Sequence, residues 1–218
     1  MSKSVTSKGL KAPHPGGRPR DPEKHRAIIE TAQRIFFTKG VAAATIEEIA
    51  QSAGVSKVTI YNRFGDKPTL FEEVVKAQVE TMSVMLSEEK AESTDLVTRL
   101  NGFGEALLAF LFHKNHVAME RILAQDLAEH PDLAHRFFAA GPGQCRDRLT
   151  RVLSEAASKG ELMLDNPREG AEDLLSLWKG FADMEFRLSV RQPLSRDEIA
   201  RRVASGTEKF LRLCRHPQ

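Results

Sequence analysis

Between residues 45 and 67, TIEEIAQSAGVSKVTIYNRFGDK, apolar side chains recur at helical spacing on both sides of one break. Ile46, Ile49 and Ala50 form one stripe, and Val55, Ile60 and Phe64 continue it beyond Ala53-Gly54-Val55. Gly54 supplies the positive φ that a sharp turn between helices requires. Thr45 is the expected cap of the first helix, with Glu47 and Glu48 in its first turn, and Ser56 the expected cap of the second. That second helix buries Ile60 and Phe64 and turns Lys57, Val58, Thr59, Tyr61, Asn62 and Arg63 outward. A helix rich in donors and cations, propped on an apolar wedge, has the shape that enters a DNA major groove.

The same periodicity extends along the chain. Asp21-Pro22-Glu23 opens a first helix, with Asp as cap, whose apolar face is Ile28, Ala32, Ile35 and Phe36 and whose end is Lys39-Gly40. Lys67-Pro68 opens a fourth helix, with Phe71, Val74, Val75, Gln78, Val79 and Met82 on one face, predicted to run to about residue 89. Further helices are predicted over residues 96–113, 116–129, 133–138, 144–158 and 167–188, broken at His130-Pro131-Asp132, Gly141-Pro142-Gly143 and Lys159-Gly160. After Pro193, Ser195 caps a last helix with Ile199, Val203, Gly206, Phe210 and Leu213 at 4-3-4-3 spacing, a narrow helix-packing seam. No run alternates with period two, so no strands are predicted. The fold class is all-α, with about nine helices.

The run T-(x3)-IA-(x2)-AGVS-(x2)-T-I-Y-(x2)-F-(x2)-K-(x2)-LF resembles the DNA-binding signature of the TetR family of transcriptional regulators. Its residue types fall on Thr45, Ala50, Gly54, Val55, Ser56, Thr59, Tyr61, Phe64, Lys67 and Leu70. Departures at Val58, Arg63 and Pro68 bear on the operator sequence rather than on the fold. The resemblance implies an N-terminal three-helix helix-turn-helix domain over residues 21–67 and a larger helical ligand-binding and dimerisation domain over 68–218. Carried over by position, Lys57, Val58, Thr59, Tyr61 and Asn62 contact bases or adjacent phosphates, Arg63 either, and Thr45, Tyr61 and Lys67 grip phosphates. In the body, HPDLAHRF from His130, Gly141-Pro142, KGEL from Lys159 and NPREGA from Asn166 resemble the AefR-like branch.

Charge sharpens this division. Residues 1–67 carry twelve Lys and Arg against six Asp and Glu, a net of +6, and the remainder carries twenty against twenty-four, a net of −4. A basic head on a mildly acidic body suits a polyanion-binding module joined to something that does not bind nucleic acid. Residues 1–20 are too poor in apolar side chains to pack and are expected to be a disordered basic arm. The arm ends in Gly17-Arg18-Pro19-Arg20, which resembles an AT-hook core, so Arg18 and Arg20 are candidate minor-groove contacts. The alternative is a solvated tail, and the arm's position before the head favours the groove. Cys145 and Cys214 stand in no metal or redox spacing, no apolar run approaches a membrane span, and the N-terminus lacks an apolar signal core. A cytoplasmic protein with no membrane partner is expected.

The resemblance also implies a homodimer built from the last two helices, with Leu174, Trp178, Phe181, Ile199, Val203, Gly206 and Phe210 at the interface. The competing reading is that the last helix's seam packs on its own domain. It further implies an apolar cavity for an unidentified small molecule, with Phe103, Phe110, Met119, Phe137, Trp178 and Met184 as candidate lining residues, although any one of them also suits a core. The expected function is a dimeric regulator that binds a palindromic double-stranded operator, a repressor released by an apolar or amphipathic ligand. An architectural DNA binder that senses no ligand is the alternative. An all-helical metalloenzyme is the second alternative, with His113, His116, His130 and His135 as candidate ligands. It lacks any Glu-x-x-His pair, phosphate loop or G-x-S-x-G elbow, so no enzyme, metal or cofactor is expected.

Overall fold

The computed structural model describes residues 22–84 and 95–214, and all regular structure among them is helical. The basic arm with Arg18 and Arg20, the Asp21 cap and any continuation of the fourth helix past Val84 lie outside the described residues. The head comprises α1 (Pro22–Lys39), α2 (Ile46–Ser52) and α3 (Lys57–Phe64). It is followed by α4 (Lys67–Ser83), α5 (Leu96–Leu111), α6 (Lys114–Glu129), α7 (Pro131–Ala140), α8 (Pro142–Ser158), α9 (Pro167–Arg187) and α10 (Arg196–Cys214). Short-range caps set many of these ends. Asp66 accepts from the Thr69 N–H at 2.8 Å and Asp95 from that of Thr98 at 3.0 Å. Ser195 and Glu198 exchange bonds at 2.9 and 3.3 Å in a reciprocal capping box. The segment read as a short turn over 133–138 is the full helix α7. Pro142 opens α8, because its missing N–H has no partner to lose in a first turn.

Two apolar cores form, and α4 runs through both. Ile28, Phe36, Ile49, Ile60 and Phe64 of the head cluster with Leu70, Phe71, Val74 and Val75 of α4, and also with Met119, Leu123, Leu133 and Ala140 of α6 and α7. The second core gathers Val79 and Met82 of α4 with α5, α8, α9 and α10. At its centre lies the indole of Trp178, fully buried, with Nε1 donating to Thr207 Oγ1 at 3.1 Å. Two glycines make room for it. A Cβ on Gly104 would stand 2.7 Å from Val203 Cγ1 and 3.0 Å from the indole, and one on Gly206 would stand 2.8 Å from the indole.

This packing corrects the expected interface. Ile199, Val203, Gly206 and Phe210, with Leu174 and Trp178, are buried within their own chain, because the α10 seam closes on α5 and α9. Among the residues assigned to the interface, Phe181 alone is exposed, at 76%. Two candidate cavity residues, Phe103 and Trp178, fill the core instead, with ring centroids 6.1 Å apart, and Met184 stands at the surface. One backbone feature has no counterpart in the periodicity. Gly180 breaks α9 at φ 49°, ψ −155°, and re-aims the residues that follow. Beyond that break Phe181, Met184 and Leu188 fall at 3-4 spacing and are well exposed, whereas Leu177 just before it packs partly against the body core.

Gly104→Val is expected to lower stability by roughly 2 kcal/mol through overpacking against Trp178 and Val203. Thermal unfolding checks this, and an unchanged midpoint would contradict the packing described.

Candidate nucleic-acid interface

The α2–α3 unit is assembled by its own side chains. Thr45 Oγ1 accepts from the Glu48 N–H at 3.2 Å, and Ser56 Oγ accepts from the Thr59 N–H at 3.1 Å. Gly54 sits at φ +67°, and a Cβ there would meet nothing within 4 Å, so glycine is required by torsion and not by space. Arg34 of α1 donates to Ser52 Oγ at 2.7 Å, and the His25 ring stacks on Phe64 at 5.2 Å. Ile60 and Phe64 anchor α3 in the head core. That leaves Lys57, Val58, Tyr61 and Asn62 exposed and Thr59 and Arg63 half-buried along the opposite flank. Val58 at 64% and Tyr61 at 49% exposure are large apolar surfaces presented to solvent by a helix that is otherwise polar on that side.

Charge on this flank is partly compensated. Lys57 pairs with Glu47 across the turn. That bond holds the Lys57 ammonium above its usual range and the Glu47 carboxyl below its own. The Thr45 hydroxyl, while capping α2, keeps its proton free to donate. Lys67 is placed otherwise than a simple phosphate grip would need. Its Nζ donates to Ala42 O at 3.1 Å and Ala44 O at 2.9 Å in the link between α1 and α2, with one donor remaining.

The same link is held from its other side by the body. Asp126 of α6 accepts from the Val41 and Ala42 N–H groups at 2.6 and 3.1 Å. Gly40 permits this approach, since a Cβ there would lie 2.7 Å from Asp126 Oδ2. Arg136 of α7 adds a salt bridge to Glu72 of α4 at 3.1 Å. Sequence reading missed Asp126, because its partners lie more than eighty residues away and no local motif marks it.

Behind the head lies a partly open cavity of about 240 Å³ between α4, α5, α6, α8 and α9, with Phe37 of α1 and Phe137 of α7 at its edge. Of the six candidate lining residues, Phe110, Met119 and Phe137 border it. Phe37, Gln78, Met82, Phe110, His116 and Met119 border both this cavity and an open groove between α1, α4, α5 and α6, which gives it a mouth. The four candidate metal-ligand histidines do not gather. His113 caps α6, His116 is buried in the cavity wall, and His130 and His135 are exposed. Among the described residues, no group of three or more His, Cys, Asp or Glu is placed to hold a metal ion. No described helix is long and apolar enough to cross a membrane.

Two family models match this chain. One, described as bacterial regulatory proteins of the tetR family, covers residues 28–74. The other, the C-terminal domain of AefR-like transcriptional repressors, covers residues 98–214. The transcriptional activator FasR of Mycolicibacterium smegmatis is 28% identical over 159 residues, 71% of each chain. The solved structure of the flavonoid-responsive regulator FrrA is 30% identical with a TM-score of 0.69, covering 91% of this chain and 100% of that one. A TetR-family regulator from Mesorhizobium loti is similar in fold, at 24% identity, a TM-score of 0.72 and coverage of 91% and 100%.

Asp126→Ala leaves two link amides without their charged acceptor. Hydrogen exchange at Val41 and Ala42 is expected to accelerate about tenfold, and unchanged exchange would show that Asp126 does not hold the link.

Proposed function

We propose that this chain, which belongs to the TetR family of bacterial transcriptional regulators, is a homodimeric, sequence-specific repressor released from a palindromic operator by a small amphipathic ligand. The observation that carries this is the α3 flank: Lys57, Val58, Tyr61 and Asn62 stand clear of a buried Ile60–Phe64 wedge. Such a flank reads base edges with its amides, cations and apolar groups, while Thr45 and Tyr61 position the helix on phosphates. The arm with Arg18 and Arg20 adds minor-groove contacts. One short helix makes too few contacts for specificity, and two of them one turn of DNA apart read a palindrome.

The exposed apolar residues Phe181, Met184 and Leu188, which follow the Gly180 break, support dimerisation. An apolar stripe of this kind suits a two-fold partner's equivalent face, and it replaces the α10 seam as the proposed contact. The cavity supports ligand sensing. Its walls include α4 and α6, which also pack against the head, so a ligand that favours one arrangement of these helices biases the spacing of the two recognition helices. A coupling of about 1–3 kcal/mol lowers operator affinity several-fold to a hundredfold, and the operator weakens the ligand by the same factor. The protein acts where its DNA is, in the cytoplasm.

Selecting genomic fragments with the purified protein yields the operator, and gel shifts then test the flank. Lys57→Ala and Tyr61→Ala are each expected to weaken binding at least about tenfold, and intact affinity in both would refute the assignment. Glu47→Gln is expected to strengthen binding several-fold at low salt by freeing Lys57 and removing a like charge facing phosphate. No gain would mean the pair does not face DNA. Phe181→Glu is expected to yield monomers in sedimentation, and an undiminished dimer would exclude the α9 stripe.

A further inference from the structure

The charges bordering the cavity do not balance. Its lining holds one carboxylate, Glu120, and two cations, Lys179 and Arg187. Arg187 is answered twice, by Glu120 and by Asp183 at 3.0 Å, the latter outside the cavity. Lys179 has neither an ion pair nor a hydrogen bond among the described residues. Asp183 stands four residues on from it, the spacing at which a continuous helix pairs opposite charges, but the Gly180 break intervenes and Asp183 pairs with Arg187. His116 does not change the sign of the lining. Neutral, it leaves a surplus of positive charge, and protonated it enlarges that surplus.

The remainder of the lining is chiefly apolar, with Met82, Leu107, Phe110, Leu111, Met119 and Phe137 among its residues. Burial on the α8 wall pushes the Cys145 thiol up to about 11, as expected of a surface that disfavours charge. Lys179 is half-buried, and a lysine so placed lays its methylene stem on apolar surface and holds its ammonium at the edge. A molecule filling this space therefore has an apolar body inside and meets the spare cation with one end. One spare cation matches one negative charge, and a carboxylate carries one. At the roughly 30 Å³ that a water-sized group occupies in a liquid, about 240 Å³ holds about eight such groups.

We infer that the cavity takes an amphipathic monocarboxylate with an apolar body of about eight carbon atoms, and that the Lys179 ammonium pairs with its carboxylate. This rests on the proposal that the cavity is the sensor site, and it adds the ligand's chemical class and the residue that selects it.

The test is calorimetric titration of the full chain with octanoate, octanol and octylammonium, which share a chain and differ in charge. Octanoate is expected to bind about fivefold tighter than octanol, and octylammonium more weakly than both. Lys179→Met, which keeps an unbranched stem and removes the charge, is expected to weaken octanoate about fivefold and to leave octanol unchanged. Lys179→Arg is expected to keep octanoate binding. Raising the salt concentration on the native chain is expected to weaken octanoate and not octanol, which reads the charge without any variant. Octanol or octylammonium binding as tightly as octanoate, no binding by any probe, a folded Lys179→Met chain that keeps octanoate's affinity, or an octanoate affinity indifferent to salt would each overturn the inference. Gel shift on a selected operator separates it from the sensor proposal. An octanol that binds more tightly than octanoate and releases DNA removes the carboxylate class and leaves the sensor. An octanoate that binds through Lys179 yet leaves DNA affinity untouched upholds the class and removes the sensor.

Discussion

The six residues between α1 and α2 are where head and body are fixed to one another. Their N–H groups at Val41 and Ala42 go to Asp126 of α6, and their carbonyls at Ala42 and Ala44 go to Lys67 at the start of α4. Charge-assisted bonds of this kind are stronger and more directional than neutral ones. A link that would otherwise be a surface loop becomes a mount, and the head core extends through it into α4, α6 and α7. Helix α3 therefore has a defined orientation on the body, and in the proposed dimer that orientation sets the separation of two such helices.

The same helix that holds the mount borders the cavity. His116 and Met119 lie in the first half of α6 and Asp126 in its second, about 15 and about 10 Å further along at helical rise. Helix α4 is similarly shared, with Leu70 to Val75 in the head core and Val79 and Met82 in the body core. A molecule in the cavity thus touches the two elements that grip the link. That arrangement supplies the contacts through which a ligand can prefer one head orientation over another.

The parts of this architecture visible in the sequence are those made by neighbours. Thr45, Ser56 and Ser195 cap helices three residues away, and Gly54 answers a local torsional demand, so the helix-turn-helix and most helix ends were legible. The dimer seam was misread for a physical reason. Helices α9 and α10 carry apolar residues on more than one face, and periodicity cannot say which face meets the domain's own core. Trp178 is committed inward by Gly104 and Gly206, 74 and 28 residues distant, and that leaves the Phe181 stripe outside. The aromatic residues of the body divide in the same way. Phe103 and Phe110, on one helix, end in the core and at the cavity respectively, a distinction set by what packs across from each. Asp126 and Lys67 become partners of one link only in three dimensions.

A rigid mount in the proposed symmetric dimer makes a geometric claim about DNA, and hydroxyl-radical footprinting on a selected operator tests it most directly. The account predicts two equally protected half-sites related by a dyad, with centres about 34–36 Å apart on one face of the duplex. A single protected patch, or two whose separation varies from site to site, would contradict it.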